Sequence, residues 1–339
     1  MDILRSTLDT IVPAAQAHEK WFVPTYPVTA PIPEFFVSIN PLTVAAVLGI
    51  LAFGILGYVS DKRYQQSKLY AKVEGAIRPY RDYAAGVLAV ATGFTLLWAA
   101  AHGQLLATNY VLPPGIAGGI LRMVETVVGA LLLVGLFTPA AAIGLLALYA
   151  SAFLLFPAIE PIDYVNFVGI GLFLLFFARG RYSLDWFLGK PILTTPAQRK
   201  WAYLALRVLT GFTLFWLGFL KFRRPDLHFS LMDQYPNFNP YVILGWFGLH
   251  MSRELYVFCL FVVEATVGIF EMFGLYTRVA AAALVPIMMV SLLFLGPGEL
   301  VGHLPILGTL FVLIVYGDNY NKHRDTARSS HPAEKRTSG

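Results

Sequence analysis

Cysteine is nearly missing from this 339-residue chain, and the single Cys259 excludes both an intrachain disulfide and a paired-thiol centre. No flavin, nucleotide, iron–sulfur or CxxC signature occurs anywhere in the sequence. Charge is scarce as well: only 13% of residues are Asp, Glu, Lys or Arg, against 57% hydrophobic ones, which leaves too little polar surface for a soluble globule of this length. With a mean hydropathy of +0.64, the chain reads as a polytopic membrane protein. The formal net charge of +5 reflects a loop asymmetry described below, and no nucleic-acid partner is expected from it.

A spanning helix needs about 20 mainly apolar residues. Nine stretches qualify: 42–60, 83–102, 118–137, 139–157, 161–178, 201–221, 255–276, 277–296 and 298–316. Lipid offers no backbone hydrogen-bond partners, and these runs are too continuous for barrel strands, so the fold class is all-α. Lysine and arginine cluster in 61–82, in 179–200, at Arg278 and in the tail after Tyr316. Alternating spans put those regions on one side, which the positive-inside rule makes cytoplasmic. The expectation is a plasma (inner) membrane protein with its N-terminus outside and its C-terminus in the cytoplasm.

One phrase occurs twice: Gly93-Phe-Thr-Leu-Leu-Trp98 and Gly211-Phe-Thr-Leu-Phe-Trp216. A second echo follows each copy, Val124-Glu125 with Gly129 and Gly135-Leu-Phe-Thr138, then Val263-Glu264 with Gly268 and Gly274-Leu-Tyr-Thr277. Two copies of one membrane module are the simplest account. Each has four spans, so the copies share one orientation, as parallel repeats of a four-helix bundle. The expected units are an extracytoplasmic segment 1–41 without a signal-peptide pattern, an extra helix 42–60 and a basic linker 61–82. A first module 83–190, a second module 191–317 with a long outer loop 222–254, and a basic tail 318–339 complete the chain.

Ionisable groups inside spans are functional candidates because lipid penalises them. The second module holds Arg207 and Lys221 on one helix, Glu264 and Glu271 seven apart on one face of another, and His303 on a third. An arginine on the neighbouring helix is expected to reach Glu264 or Glu271. The first module has Ala89, Gly103 and Asn166 in place of Arg207, Lys221 and His303, but keeps Glu125 and adds Arg122 one turn earlier. The plainest reading of Arg122 with Glu125 is a structural (i, i+3) ion pair. The outer loop brings Arg223, Arg224, His228, His250 and Arg253, as a lid over an outer pocket, a docking surface or a packed cap.

The run Leu206-Arg207-Val-Leu-Thr-Gly211 with Trp216 and Lys221, then Glu264, then Gly274-Leu-Tyr-Thr277-Arg278, resembles the DoxX family. The first module resembles a diverged copy, with Pro139 in place of the turn arginine. The resemblance implies a membrane subunit of a quinone-linked redox system, with a small sulfur oxyanion such as thiosulfate as electron source and membrane quinone as acceptor. On that basis Glu264, Arg207 and Lys221 are the candidate catalytic residues, and Arg207, Trp216, Glu264, Glu271 and His303 the candidate quinone-binding ones. Arg223, Arg224, His228, His250 and Arg253 face a substrate or an extracytoplasmic or membrane redox partner. Competing expectations are a non-catalytic scaffold for a redox complex, a haem or metal site from the outer histidines, whose spacing matches no known ligand motif, and a small-molecule transporter.

Overall fold

The computed structural model describes residues 41–178, 183–189, 194–235, 244–245, 247–248, 251–295 and 297–317. The expected segment 1–41 (but for its last residue), the tail 318–339 and His250 lie outside them. The chain opens with α1 (Pro41–Gln65) and α2 (Lys68–Ile77), and a 3-10 turn (Arg78–Tyr80) leads into α3 (Arg81–Ala101). A short antiparallel hairpin follows, β1 (Gln104–Leu105) with β2 (Ala107–Val111). Next come α4 (Ile116–Val134), α5 (Thr138–Leu155), a 3-10 turn (Pro161–Tyr164), α6 (Asn166–Phe177) and the one-turn α7 (Leu184–Phe187). The second half has α8 (Pro196–Arg223), α9 (Pro225–Gln234), α10 (Arg253–Phe273), α11 (Thr277–Leu295) and α12 (Pro297–Tyr316).

Among the described residues, five helical runs are long and apolar enough to cross a membrane: Lys68–Ala101, Ile116–Val134, Thr138–Leu155, Pro196–Arg223 and Arg253–Phe273. Shorter apolar helices cover Pro161–Phe177, Thr277–Met289 and Leu300–Tyr316. Large apolar side chains such as Ile55, Ile116, Leu154 and Phe273 point away from the protein, as a chain solvated by lipid requires. Two expected boundaries change. The first helix runs on to Gln65, and the stretch read as a linker is occupied by α2 and the start of α3, with Ser67 capping α2 through the Tyr70 N–H.

The helices do not form two separate bundles. In each half the first three helices pack in sequence, α3 on α4 and α4 on α5, α8 on α10 and α10 on α11. The fourth helix then crosses over: α6 packs along α8 and α12 along α3, and the eight helices share one core that includes Leu88, Leu145, Ile170, Phe173, Leu206, Leu284 and Leu313. Matching hydroxyls fasten both crossings. Thr95 Oγ1 donates to the Val301 carbonyl of α12 at 2.9 Å, and Thr213 Oγ1 accepts from the Asn166 N–H of α6 at 3.2 Å. The extra helix α1 packs mainly against α10, with Gly57 against the Phe270 ring, and its Asp61 and Tyr64 reach Tyr276 in the turn that follows.

The repeated glycines explain how the first pair of contacts can be so close. A Cβ on Gly211 would stand 2.6 Å from the Gly268 carbonyl oxygen, and one on Gly93 would stand 2.7 Å from that of Gly129. Backbones of α3 and α4, and of α8 and α10, therefore touch directly. The repeated turns are equally alike. Gly135 and Gly274 close their helices in the left-handed region, both at φ 68°, ψ 44°. Phe137 and Tyr276 follow at φ 48° and 49°, which is strained for a residue with a Cβ. A carboxylate holds each strained residue in place. Asp185 on α7 accepts from the Phe137 and Thr138 N–H groups at 2.9 Å each, and Asp61 on α1 accepts from the Tyr276 N–H at 3.0 Å.

Gly268→Val is expected to destabilise the protein by about 1–3 kcal/mol or more through overpacking. Gly119→Ala, where nothing lies within 4 Å of the added carbon, is expected to leave the unfolding midpoint in detergent unchanged. Equal midpoints for the two variants would show that the α8–α10 contact is not the tight one.

Candidate functional site

The close packing of α8 on α10 aligns a cation with a carboxylate. Gly218 brings the α8 backbone against Glu264, with its missing Cβ only 3.0 Å from the Glu264 Cβ. Lys221, one turn further, places Nζ 2.8 Å from Glu264 Oε2. The lysine side chain is 3% exposed and the glutamate 21%, so the pair is largely shielded and each charge depends on the other. Tyr256 lies within electrostatic reach of both, and its ring centroid is 6.4 Å from that of the buried His228 on α9. Phe215, Phe222, Phe258 and Phe261 wall this end of the helix pair, and Phe222 and Phe261 sit 5.0 Å apart. The result is an ammonium, a carboxylate, a phenol and an imidazole in aromatic surroundings.

Arg207 does not join them. It precedes Lys221 by 14 residues, about 21 Å along a helix. Its guanidinium lies against Gly274 at the opposite end of α10, where a Cβ would collide with it. Glu271, fully buried, belongs to that end too, since its Cβ lies beside Gly211. The expected arginine partner of Glu264 is thus replaced by Lys221. Trp216 also points elsewhere, donating from Nε1 to Asp163 Oδ1 at 2.7 Å. His303 is buried on α12, which packs along α3 and α11.

Two loop cations are already engaged. Arg224 grips Asp226 with two hydrogen bonds, at 3.0 and 2.9 Å, and Arg253 bonds Asp233 at 2.8 Å while its guanidinium covers the Phe229 ring. Arg223 is half-buried. These contacts favour the packed-cap reading of Arg224 and Arg253. Among the described residues no three His, Cys, Asp or Glu side chains gather as a metal site would need.

In the first half a strand hairpin takes the place of the lysine. Glu125 is fully buried in the middle of α4, and its Oε1 accepts from the Leu106 N–H at 2.6 Å. Leu106 sits at φ 62°, at the tight turn of the hairpin, so the hairpin dips from the end of α3 into the helix body. Arg122 is exposed and donates to the Ala101 carbonyl at the C-terminus of α3, which rules out the expected Arg122–Glu125 pair. The two positions lie only about 60° apart around the helix, so it is their separate partners, the Ala101 carbonyl for Arg122 and the Leu106 N–H for Glu125, that part them.

Sequence reasoning missed this hairpin, and with it a buried polar group at its base. Tyr110 is fully buried, stacked on Phe156 and edge-on to Tyr164, while Tyr164 donates to Asn109 Oδ1 at 2.8 Å. Burial pushes the Tyr110 hydroxyl up, with Tyr164, Asp163 and Glu160 adding to the effect, so it remains a phenol. The β-prone run Thr108-Asn-Tyr-Val111 after Gly103 was the signal available for the hairpin. A third missed feature lies at the α2 end: Glu74 is clasped by Arg81 and Arg278, and Arg278 also donates to the Ile314 carbonyl near the end of α12 at 3.0 Å.

Glu125→Gln keeps an acceptor for Leu106 and is expected to preserve the unfolding midpoint. Glu125→Leu orphans that N–H and is expected to cost about 1–3 kcal/mol. Thermal unfolding of both variants in the same detergent checks the pair, and a harmless Leu would mean the hairpin is not held by this bond.

No curated protein and no solved structure matches the chain. Its residues 202–297 match the DoxX family model, an interval running from the first turns of α8 through α9, α10 and α11 to the first residue of α12. The segment that carries the Lys221–Glu264 pair is therefore a DoxX domain, set in a membrane-embedded chain.

Proposed function

We propose that this protein is the membrane subunit of a quinone-linked redox system and that the outer end of the α8–α10 pair receives the quinone headgroup. The observation that carries this reading is the shielded Lys221–Glu264 pair inside an aromatic wall of the DoxX domain. The donor set fits the group: a quinone offers flat apolar faces and two acceptor oxygens, and here an ammonium and a phenol stand among phenylalanines. Reduction of a quinone to quinol takes up two electrons and two protons. Lys221 would donate a hydrogen bond to a headgroup oxygen and stabilise negative charge there. Glu264 would hold or pass a proton at its carboxyl oxygens, with Tyr256 in electrostatic reach and His228 next to Tyr256. Arg207 and Glu271, at the other end of α10, serve this reading as a proton route or as packing, and His303 and Trp216 support the neighbouring helix contacts.

The remaining architecture belongs to the same proposal. Nine spans would arise from α1 and two parallel four-helix modules; the matched glycine contacts, turns and threonine crossings support a duplication. The basic α2 end would face the cytoplasm of an inner membrane. The electron donor would be a small sulfur oxyanion such as thiosulfate or a redox partner subunit, approached past Arg223 and α9. A scaffold role is the second reading, favoured by one observation: α1 packs mainly on α10 and offers Leu48, Leu51, Ile55 and Val59 to its surroundings.

Lys221→Met alone leaves Glu264 as a shielded carboxylate and is expected to cost about 3–5 kcal/mol. The double variant Lys221→Met, Glu264→Leu removes both charges and is expected to regain most of that stability. Binding of a short-chain ubiquinone to the purified proteins is the deciding readout. A double variant that is stable yet no longer binds the quinone supports the site; one that is stable and binds like the wild type reduces the pair to packing.

A further inference from the structure

The charges of residues 61–80 are sorted by sign. Both acids of this stretch are turned into the protein, Asp61 onto the Tyr276 N–H and Glu74 between Arg81 and Arg278. All five cations, Lys62, Arg63, Lys68, Lys72 and Arg78, are exposed, and none of them forms an ion pair among the described residues. A segment whose composition is mixed thus presents a surface of one charge, and the next exposed acid along the chain is Asp82 in the first turn of α3. Exposed Leu69, Tyr80 and Tyr83 stand among these cations. Basic side chains with interspersed apolar and aromatic ones are the pattern of a helix lying at a membrane interface.

The position suits that pattern. The stretch joins the end of apolar α1 to the start of α3, and its buried Tyr70 lies under the Arg278 guanidinium, 4.8 Å from ring centroid to cation. Arg278 and Arg81 in turn reach the last carbonyls of α12, at Ile314 and Val315. The α2 surface is therefore fastened where α3, α11 and α12 meet the edge of the apolar region.

We propose that this surface is a binding site for the anionic headgroups of bilayer phospholipids. Cations just outside a span contribute on the order of fivefold in affinity each for an anionic leaflet. Headgroups gathered by Lys68, Lys72 and Arg78 hold α2 against the bilayer, and through Glu74 they brace Arg81, Arg278 and the end of α12. The lipid is thus a structural ligand of the chain.

The full-length protein is placed in nanodiscs of neutral phosphatidylcholine, with or without phosphatidylglycerol, and the unfolding midpoint and the lipid retained after detergent extraction are measured. Phosphatidylglycerol is expected to raise the midpoint and to be retained preferentially. Lys68→Gln, Lys72→Gln, Arg78→Gln together are expected to weaken retention on the order of a hundredfold and to abolish the rise, with the midpoint in neutral discs unchanged. Arg122→Gln, an exposed cation on α4 beside the opposite end of α3, is expected to keep both effects. Equal retention by the triple variant, or no preference in the wild type, overturns the proposal. So does an equal rise with inorganic phosphate alone, which would assign the surface to a soluble anion.

Discussion

A polar group surrounded by apolar material must find its partner inside the protein, and most of the distinctive geometry of this chain follows from that constraint. Glu264 is matched by Lys221 and Glu125 by the N–H of Leu106, although the two glutamates occupy corresponding places in the repeated motif. The first solution uses a long side chain from a neighbouring helix. The second bends backbone into the helix body, because Gly103 stands where a lysine would be needed. Asp185 and Asp61 answer the same constraint at the two turns, and Glu74 answers it for two guanidinium groups at once. The difference between the halves is chemical: one keeps a shielded charge pair, the other a carboxyl bonded to a backbone amide.

The crossing of the fourth helices makes the two halves interdependent. With α6 lying on α8 and α12 on α3, neither half has a closed core of its own. Any shift of α8 relative to α10 at the Lys221–Glu264 pair would be felt at Trp216, whose indole bonds Asp163 in the first half. The site in the DoxX domain is in this way supported by the region outside the family match.

Much of this was legible from the residues. The apolar runs fixed the helices because helix is the main way a long apolar stretch satisfies its backbone in lipid, and the doubled phrases contain the glycines of the tight contacts, Gly93 and Gly211 in the first, Gly129 and Gly268 in the second. The twin turns at Gly135 and Gly274 were likewise visible as repeats. Partner choice was not. Helical periodicity allowed Arg207 to reach Glu264 or Glu271, and only the helix offset set by Gly218 gives Glu264 to Lys221. The hairpin escaped because its residues 104–111 are too few for a period to declare itself, and a stretch counted as a cationic linker concealed two acids that each hold a separate element. Long-range pairings such as Asp61 with Tyr276 depend on how helices are arranged, which no local pattern records.

The central claim, that a quinone headgroup sits at the outer end of the α8–α10 pair, is tested most directly by photolabelling with an azidoquinone followed by peptide mapping. The account expects the label on α8 or α10 close to Lys221, Tyr256 or Glu264, and competed away by unmodified quinone. A competable label confined to α3–α6, or none in the 202–297 interval, would contradict it.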